Sequence, residues 1–333
     1  KILRMDKIIG LGNALIDVLA TLKDDTLLDE LELPKGSMQL IDDAKLQQIN
    51  TKFSQMKTHL ATGGSAGNAI LGLACLGAGT GFIGKVGNDH YGDFFRKNLQ
   101  KDNIEDNLLT SEQLPSGVAS TFISQDGERT FGTYLGAAAS LKAEDLTLEM
   151  FKGYAYLFIE GYLVQDHEMI LHAIELAKEA GLQICLDMAS YNIVENDLEF
   201  FSLLINKYVD IVFANEEEAK AFTGKEPKEA LGVIAKKCSI AIVKVGAEGS
   251  YIRKGTEEIK VSAIPVEKVV DTTGAGDYFA SGFLYGLTCG YSLEKCAKIG
   301  SILSGNVIQV IGTSMPQERW DEIKLNINRI LAE

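Results

Sequence analysis

Short apolar runs separated by amphipathic stretches constrain the fold of this chain more than any other feature. Ile8–Leu11, Phe82–Val86, Tyr156–Ile159, Ile184–Asp187, Ile211–Ala214 and Ile240–Val245 are too short for helices. They are apolar at successive positions, as strands buried on both faces are. Helical patterns lie between them over Asn68–Leu76, Gly92–Lys101, Asp166–Ala180, Leu198–Lys207, Glu216–Phe222 and Pro227–Lys237. Asp166 reads as an N-cap and Gly181 as the stop after that helix. Helices over Gly276–Cys289, Leu293–Val310 and Gln317–Leu331 close the chain. This alternation predicts a doubly wound α/β/α domain with a mostly parallel central sheet. Two stretches break it, at about 17–41 and 118–135, where polar and apolar residues alternate as in Ala119-Ser120-Thr121-Phe122-Ile123-Ser124. Gln125-Asp126-Gly127-Glu128 marks a hairpin turn in the second. Half-buried strands inserted in such a chain predict a small β-sheet lid over a site.

Charge and composition exclude several functions. The net charge is −14, and no run of Lys or Arg is long enough to follow a nucleic-acid backbone or dock on an anionic membrane. No apolar run approaches the roughly 18–20 residues that cross a bilayer. Lys1-Ile2-Leu3-Arg4 is too short for a secretory leader, and Met5 reads as the natural start after an appended remnant. The five cysteines are scattered and form no CxxC pair, as in a reducing cytoplasm. The four histidines offer poor material for zinc and read as surface or structural residues.

The chemistry points to Asp271-Thr272-Thr273-Gly274-Ala275-Gly276-Asp277, directly ahead of a small-residue helix. Gly274, Ala275 and Gly276 let an anion approach their amides at a helix N-terminus, where the macrodipole favours negative charge. Asp277, one step inside, is placed to accept the proton of an attacking hydroxyl. A bare strand-to-helix turn is the plain alternative for those residues taken alone.

Other motifs accompany it. Gly63-Gly64 followed by Asn68 could bring hydroxyl-bearing ligands onto the main chain. Asn13 and Asp17 follow the first strand, where open α/β sheets bind ligands. Asn215 and Glu218, three apart after another strand, could organise Mg²⁺-bound waters or simply cap a helix. Lys244, Gly246 and Gly249 could wrap a nucleotide. Gly10-Leu11-Gly12 lacks the third glycine of a dinucleotide fingerprint, since Leu15 stands there, which discounts a dehydrogenase. Gly79–Lys85 imitates a P-loop, but Val86 replaces its hydroxyl and the stretch reads as a strand.

Together these residues resemble the ribokinase-like family, the PfkB-type carbohydrate and nucleoside kinases, from Ile8 to about Pro316. Asp271–Asp277 with Ala280-Ser281-Gly282 is similar to the family's second signature. Gly63-Gly64, Asn68, Gly84-Lys85-Val86-Gly87 and Asp89 are similar to its first, and Asn215 with Glu218 to its NxxE element. The resemblance implies one kinase domain over 5–333, with ATP and Mg²⁺ as cofactors and Asp277 as base. It implies an anion hole at Gly274–Gly276 and substrate contacts from Asp17, Gly64 and Asn68. It also implies a monovalent-cation site, for K⁺, at Asp271 and Thr273. Gly12–Asp17, Gly36–Asp42 and Glu160-Gly161-Tyr162-Leu163 look like bacterial adenosine-kinase-type members, with Met38, Tyr162 and Leu163 bordering a flat base. Glu160 also resembles the sugar-binding Glu of ribokinases. The expected reaction is transfer of the ATP γ-phosphoryl group to a ribose-bearing molecule, with adenosine ahead of a free sugar. A non-catalytic nucleotide or sugar sensor is the alternative of another class. The enzyme is expected as a cytoplasmic monomer or homodimer.

Overall fold

The computed structural model describes residues 6–332. The expectations for residues 1–5 lie outside the described residues. Fourteen strands appear among the latter: β1 Ile8–Leu11, β2 Leu15–Thr21, β3 Met38–Leu40, β4 Thr58–Gly63, β5 Thr80–Gly87, β6 Ile104–Ser111, β7 Gly117–Ile123, β8 Arg129–Tyr134, β9 Tyr156–Glu160, β10 Gln183–Asp187, β11 Ile211–Asn215, β12 Ile240–Lys244, β13 Ser250–Lys254 and β14 Glu257–Val261. Nine form one sheet in the order β14-β13-β12-β11-β10-β9-β1-β5-β6. Pairing from β12 to β6 is parallel throughout, and the β13–β14 hairpin adds an antiparallel edge. The other five strands form a smaller sheet, β3-β8-β7-β2-β4.

The strand runs are apolar throughout because the large sheet is covered on both faces. Successive side chains of a strand point to opposite sides. Ile8, Phe82, Phe158, Phe213 and Ile242 enter one core, with the helices Ser65–Cys75 and Ala275–Thr288. Ile9, Ile83, Ile159, Val212 and Val243 enter the other, with the helices His167–Glu179 and Leu198–Lys207. Asp166 caps its helix as expected, accepting from the Met169 N–H at 3.1 Å.

The hairpin turn between β7 and β8 closes as the Asp-Gly pair predicts. Gly127 has φ 86°, and the Ser124 N–H donates to the Glu128 carbonyl at 2.9 Å. Within Gly79–Lys85, Thr80 to Lys85 belong to β5, so the stretch is a strand rather than a phosphate loop. Three pieces of sheet carry no apolar run that would announce them. β4 and β6 are edge strands of mixed polarity, and the charged β13–β14 hairpin buries only alternate residues such as Ile252.

Phe213 is fully buried between Phe158, at 6.2 Å between ring centroids, and Phe283, edge-on at 5.7 Å. Phe213→Ala should lower the unfolding free energy by about 3–5 kcal/mol. Urea denaturation measures this, and a loss below about 1 kcal/mol would contradict the packing described.

Candidate active site

The order of the large sheet reverses at β1, which lies between β5 and β9 with all three parallel. A crevice opens at the carboxyl ends of the strands at such a point. Adjacent strands then deliver polar side chains to one edge. β9 ends at Glu160, β10 at Asp187, β11 at Asn215 and β12 at Lys244. Register sets Glu160 beside Asp187 and Asn215 beside Lys244. The smaller sheet closes the other side. The cavity between them measures about 1570 Å³. Single small-molecule sites hold roughly 300–1,000 Å³, so this one has room for two ligands side by side.

The helix Ala275–Thr288 begins in this cavity. Gly274 caps it with φ 76°, a left-handed conformation that favours glycine. The first full helical bond runs from the Tyr278 N–H to the Gly274 carbonyl at 2.9 Å. The Ala275 N–H turns back to the Thr272 carbonyl at 3.2 Å. The Gly276 and Asp277 amides thus stand ahead of the ladder, where helices leave donors free. Asp277 Oδ1 accepts from Ser65 Oγ at 2.7 Å and Oδ2 from Asn68 Nδ2 at 2.9 Å. Each oxygen keeps a further lone pair. Burial raises this carboxyl to about 6, although the bonds from Asn68 and Ser65 pull it down.

Ser65 and Asn68 lie on the helix Ser65–Cys75, which the paired glycines start. Gly64 has φ 85°, and a Cβ there would sit 2.2 Å from the Asn13 carbonyl; one on Gly63 would sit 2.4 Å from Asp17 Oδ1. Gly63 does not line the cavity and acts by making room for Asp17. Asp17 does line it. Burial pushes Asp17 up to about 7, while Arg129 opposes that rise and Asp277 and Asp271 add to it; no hydrogen bond relieves it among the described residues.

Glu160, expected to bind substrate, lines the cavity and also takes hydrogen bonds from its own chain. It is 1% exposed. Its Oε1 accepts from the Asn13 N–H at 2.9 Å and from Asn13 Nδ2 at 2.6 Å, and its Oε2 accepts from the Ala66 N–H at 2.9 Å. It braces the loop after β1 against the start of the helix Ser65–Cys75. Burial raises it to about 7.

Asn215 and Glu218 form a reciprocal helix cap. The Glu218 N–H donates to Asn215 Oδ1 at 2.8 Å, and the Asn215 N–H and Nδ2 both donate to the Glu218 carboxylate at 2.7 Å. Both also line the cavity. Glu218 is pushed up by burial and by Asp187. Asp187 accepts from Lys244 Nζ at 3.0 Å and from the Ala189 N–H at 2.9 Å. Burial alone would lower Lys244, but Asp187 and Glu218 outweigh it and hold its pKa up. Gly246, Gly249, Met38, Tyr162 and Leu163 also line the cavity, Met38 from β3 of the smaller sheet and Tyr162 and Leu163 from the turn after β9.

Among the described residues, no three His, Cys, Asp or Glu side chains converge closely enough to ligate a metal. Asp187, Glu218 and Asp277 nevertheless face one lysine. That excess of negative charge suits Mg²⁺ held mainly through its own waters and through phosphates.

Asp271 and Thr273 do not form the open cation site that was expected. Thr273 lines the cavity and Asp271 does not. Asp271 Oδ1 accepts from the Thr273 N–H at 3.1 Å and from Thr273 Oγ1 at 2.8 Å. Its Oδ2 accepts from the Gly312 N–H at 2.8 Å and pairs with Arg129 Nη1 at 3.0 Å.

Ser65, Asp187, Arg129 and Phe131 escaped the sequence reading as site residues. Asp187 was findable, since it ends an apolar strand just as Glu160 does. Arg129 and Phe131 belong to β8, which the hairpin pattern assigns to the smaller sheet, but that pattern neither pairs Arg129 with Asp271 nor brings Phe131 to the cavity.

Known proteins match this arrangement along nearly the whole chain. A probable sugar kinase from Rhizobium etli CFN 42 is 35% identical and superimposes with a TM-score of 0.86, covering 98% of this chain and 99% of that one. The adenosine kinase of Sinorhizobium meliloti is 34% identical, with a TM-score of 0.85 over 97% of this chain and 99% of its own. Adenosine kinase 2 of Arabidopsis thaliana is 26% identical over 93% of this chain and 96% of that protein. The family model for pfkB carbohydrate kinases matches residues 36–320. The chain belongs to the pfkB family of carbohydrate kinases and is a kinase.

Proposed function

We propose that this kinase transfers the γ-phosphoryl group of ATP to the primary hydroxyl of a ribose-bearing acceptor, with adenosine foremost. The observation that carries the reading is the setting of Asp277. Its carboxylate is held by Ser65 and Asn68 at a helix N-terminus and lines a cavity sized for two ligands. An acceptor hydroxyl there donates its proton to Asp277, while the Gly276 and Asp277 amides meet the charge of the transferred group. Asp17, open to the cavity and free of hydrogen bonds, is suited to grip two neighbouring ribose hydroxyls. Lys244 offsets phosphate charge from the far side. Mg²⁺, when bound, neutralises the phosphates near Glu218 and Asp187.

Two features favour a nucleoside over a free sugar. Met38, Phe131, Leu135, Ala138 and Leu163 give the acceptor end an apolar wall suited to a planar base. Stacking there is worth about 1–3 kcal/mol, none of it available to a bare sugar. Glu160, the residue that pointed to a sugar, spends its oxygens on Asn13 and Ala66. The likeness to the Sinorhizobium adenosine kinase supports the same choice. A sugar acceptor is the second reading, favoured by the Rhizobium likeness.

Asp277→Asn keeps the shape and removes the proton acceptor. Its kcat should fall by about 10² or more with nucleotide affinity retained; near-normal turnover would remove the base assignment. Adenosine should exceed ribose in kcat/KM in an ADP-release assay, and Asp17→Ala should raise KM for adenosine far more than for ATP. A higher kcat/KM for ribose would make the sugar reading correct.

Acidity should move rate and stability in opposite directions. Activity needs Asp277 ionised, so kcat/KM should rise with pH through about 6 and level off above it. Asp17, Glu160 and Asp277 are raised from 3.8–4.5 to about 6–7 in the folded chain. Between those limits the folded state holds protons that the unfolded state has released. Unfolding free energy therefore falls as pH rises across that window. The exposed acids with lowered values, such as Asp25 and Asp126, act only below it. The Tm of the ligand-free protein should drop from pH 5 to pH 8; a rise would refute these assignments.

A further inference from the structure

We infer that Arg129 serves as the chain's own fixed cation at Asp271, in the place where a monovalent ion was expected, so that phosphoryl transfer here proceeds without K⁺. The inference rests on the kinase reading of the site. An ionised carboxylate offers about four lone-pair positions. At Asp271 this chain supplies three hydrogen bonds, from the Thr273 N–H and Oγ1 to one oxygen and from the Gly312 N–H to the other, and Arg129 Nη1 pairs with the latter oxygen as an ion at 3.0 Å.

The pair is buried, with side-chain exposures of 8% for Arg129 and 6% for Asp271, and Arg129 Nη2 has no hydrogen-bond partner among the described residues. An entering ion would have to displace the guanidinium and leave it charged, buried and unpaired, which is strongly unfavourable. A second carboxylate, Asp17, also interacts with Arg129. Displacement would therefore leave two acids uncompensated rather than one.

The position of the pair makes its role local to catalysis. Asp271 opens the loop that leads through Gly274 to Asp277, and its carboxylate ties that loop to Gly312. The Asp271 and Val270 amides also donate to the Ile308 carbonyl, at 3.2 and 2.8 Å. A positive charge at Asp271 therefore fixes the loop that presents the helix N-terminus. Here the charge comes from β8 of the smaller sheet. Arg129 is thus a positioning residue, acting through Asp271 and not on the reacting atoms.

The test uses the full chain with Mg²⁺, ATP and whichever nucleoside or sugar turns over, in KCl or tetramethylammonium chloride at equal ionic strength. The natural protein should change rate by less than about twofold between the two salts. Arg129→Met should be slow in tetramethylammonium and be accelerated about tenfold or more by K⁺. Arg129→Lys, which keeps the charge, should stay indifferent to K⁺. A readout without turnover accompanies these. Crystals soaked in RbCl should show an anomalous peak beside Asp271 in Arg129→Met and none in the natural protein. Several-fold activation of the natural enzyme by K⁺, or rubidium at Asp271 with Arg129 in place, overturns the inference. So does an Arg129→Met enzyme that neither responds to K⁺ nor binds rubidium. A wrong acceptor assignment leaves the diffraction result untouched, so the two readings fail separately.

Discussion

The site depends on one buried carboxylate whose oxygens are spent mainly on its own chain. Glu160 ends the strand beside β1 and takes hydrogen bonds from Asn13 on one side and Ala66 on the other. Those bonds fix the start of the helix Ser65–Cys75 relative to the switch point of the large sheet. Ser65 and Asn68 on that helix then hold both oxygens of Asp277, which comes from a helix two hundred residues later. The aim of the proposed base is therefore set by a relay that begins at the end of β9. Buried charge-assisted bonds suit this purpose, because breaking one leaves an unpaired ion where water cannot reach it.

The same burial works against stability. Asp17, Glu160, Glu218 and Asp277 are all raised by burial, and among the described residues Lys244 and Arg129 supply the positive charge that opposes this. Without ligands, the ionised site strains the fold. The two apolar cores on the faces of the large sheet hold it together. Phosphates bound with Mg²⁺ would bring both charges and waters to this cluster, so the region most costly to the empty protein is the one nucleotide binding should relieve.

Most of the large sheet was legible because its strands announce themselves. Ile8–Leu11, Ile184–Asp187 and Ile211–Ala214 are apolar on both faces, and nothing but a covered parallel sheet accounts for that. Edge elements were not. Thr58–Gly63 buries only Gly63 fully, and the β6 run Ile104–Ser111 contains Glu105, Asp106 and Asn107, so neither carries the apolar signal of a core strand. At the site, Asp277 and its glycines were legible because the helix N-terminus and its acid are neighbours in sequence. Arg129 was not, because its partner Asp271 comes from a distant element, and Asp187, whose partner Lys244 is also distant, was legible only as the end of an apolar strand.

Motifs name acceptors, but the fold decides which of them are still free. Four acids of similar promise in the sequence separate on that count. Glu160 accepts three hydrogen bonds from its own chain, and Asp271 accepts three more and holds an ion pair. Asp277 accepts two, one on each oxygen, and Asp17 none. The first two are therefore braces whose negative charge has already been answered, and a ligand gains little by approaching them. The last two keep lone pairs directed at the cavity and are uncomfortable as ions until something donates to them. In the proposed reaction that discomfort is what a hydroxyl-bearing acceptor would relieve, at Asp17 by its diol and at Asp277 by the proton it surrenders. Lone-pair occupancy, more than sequence likeness, thus divides the acids that build this site from the acids that use it.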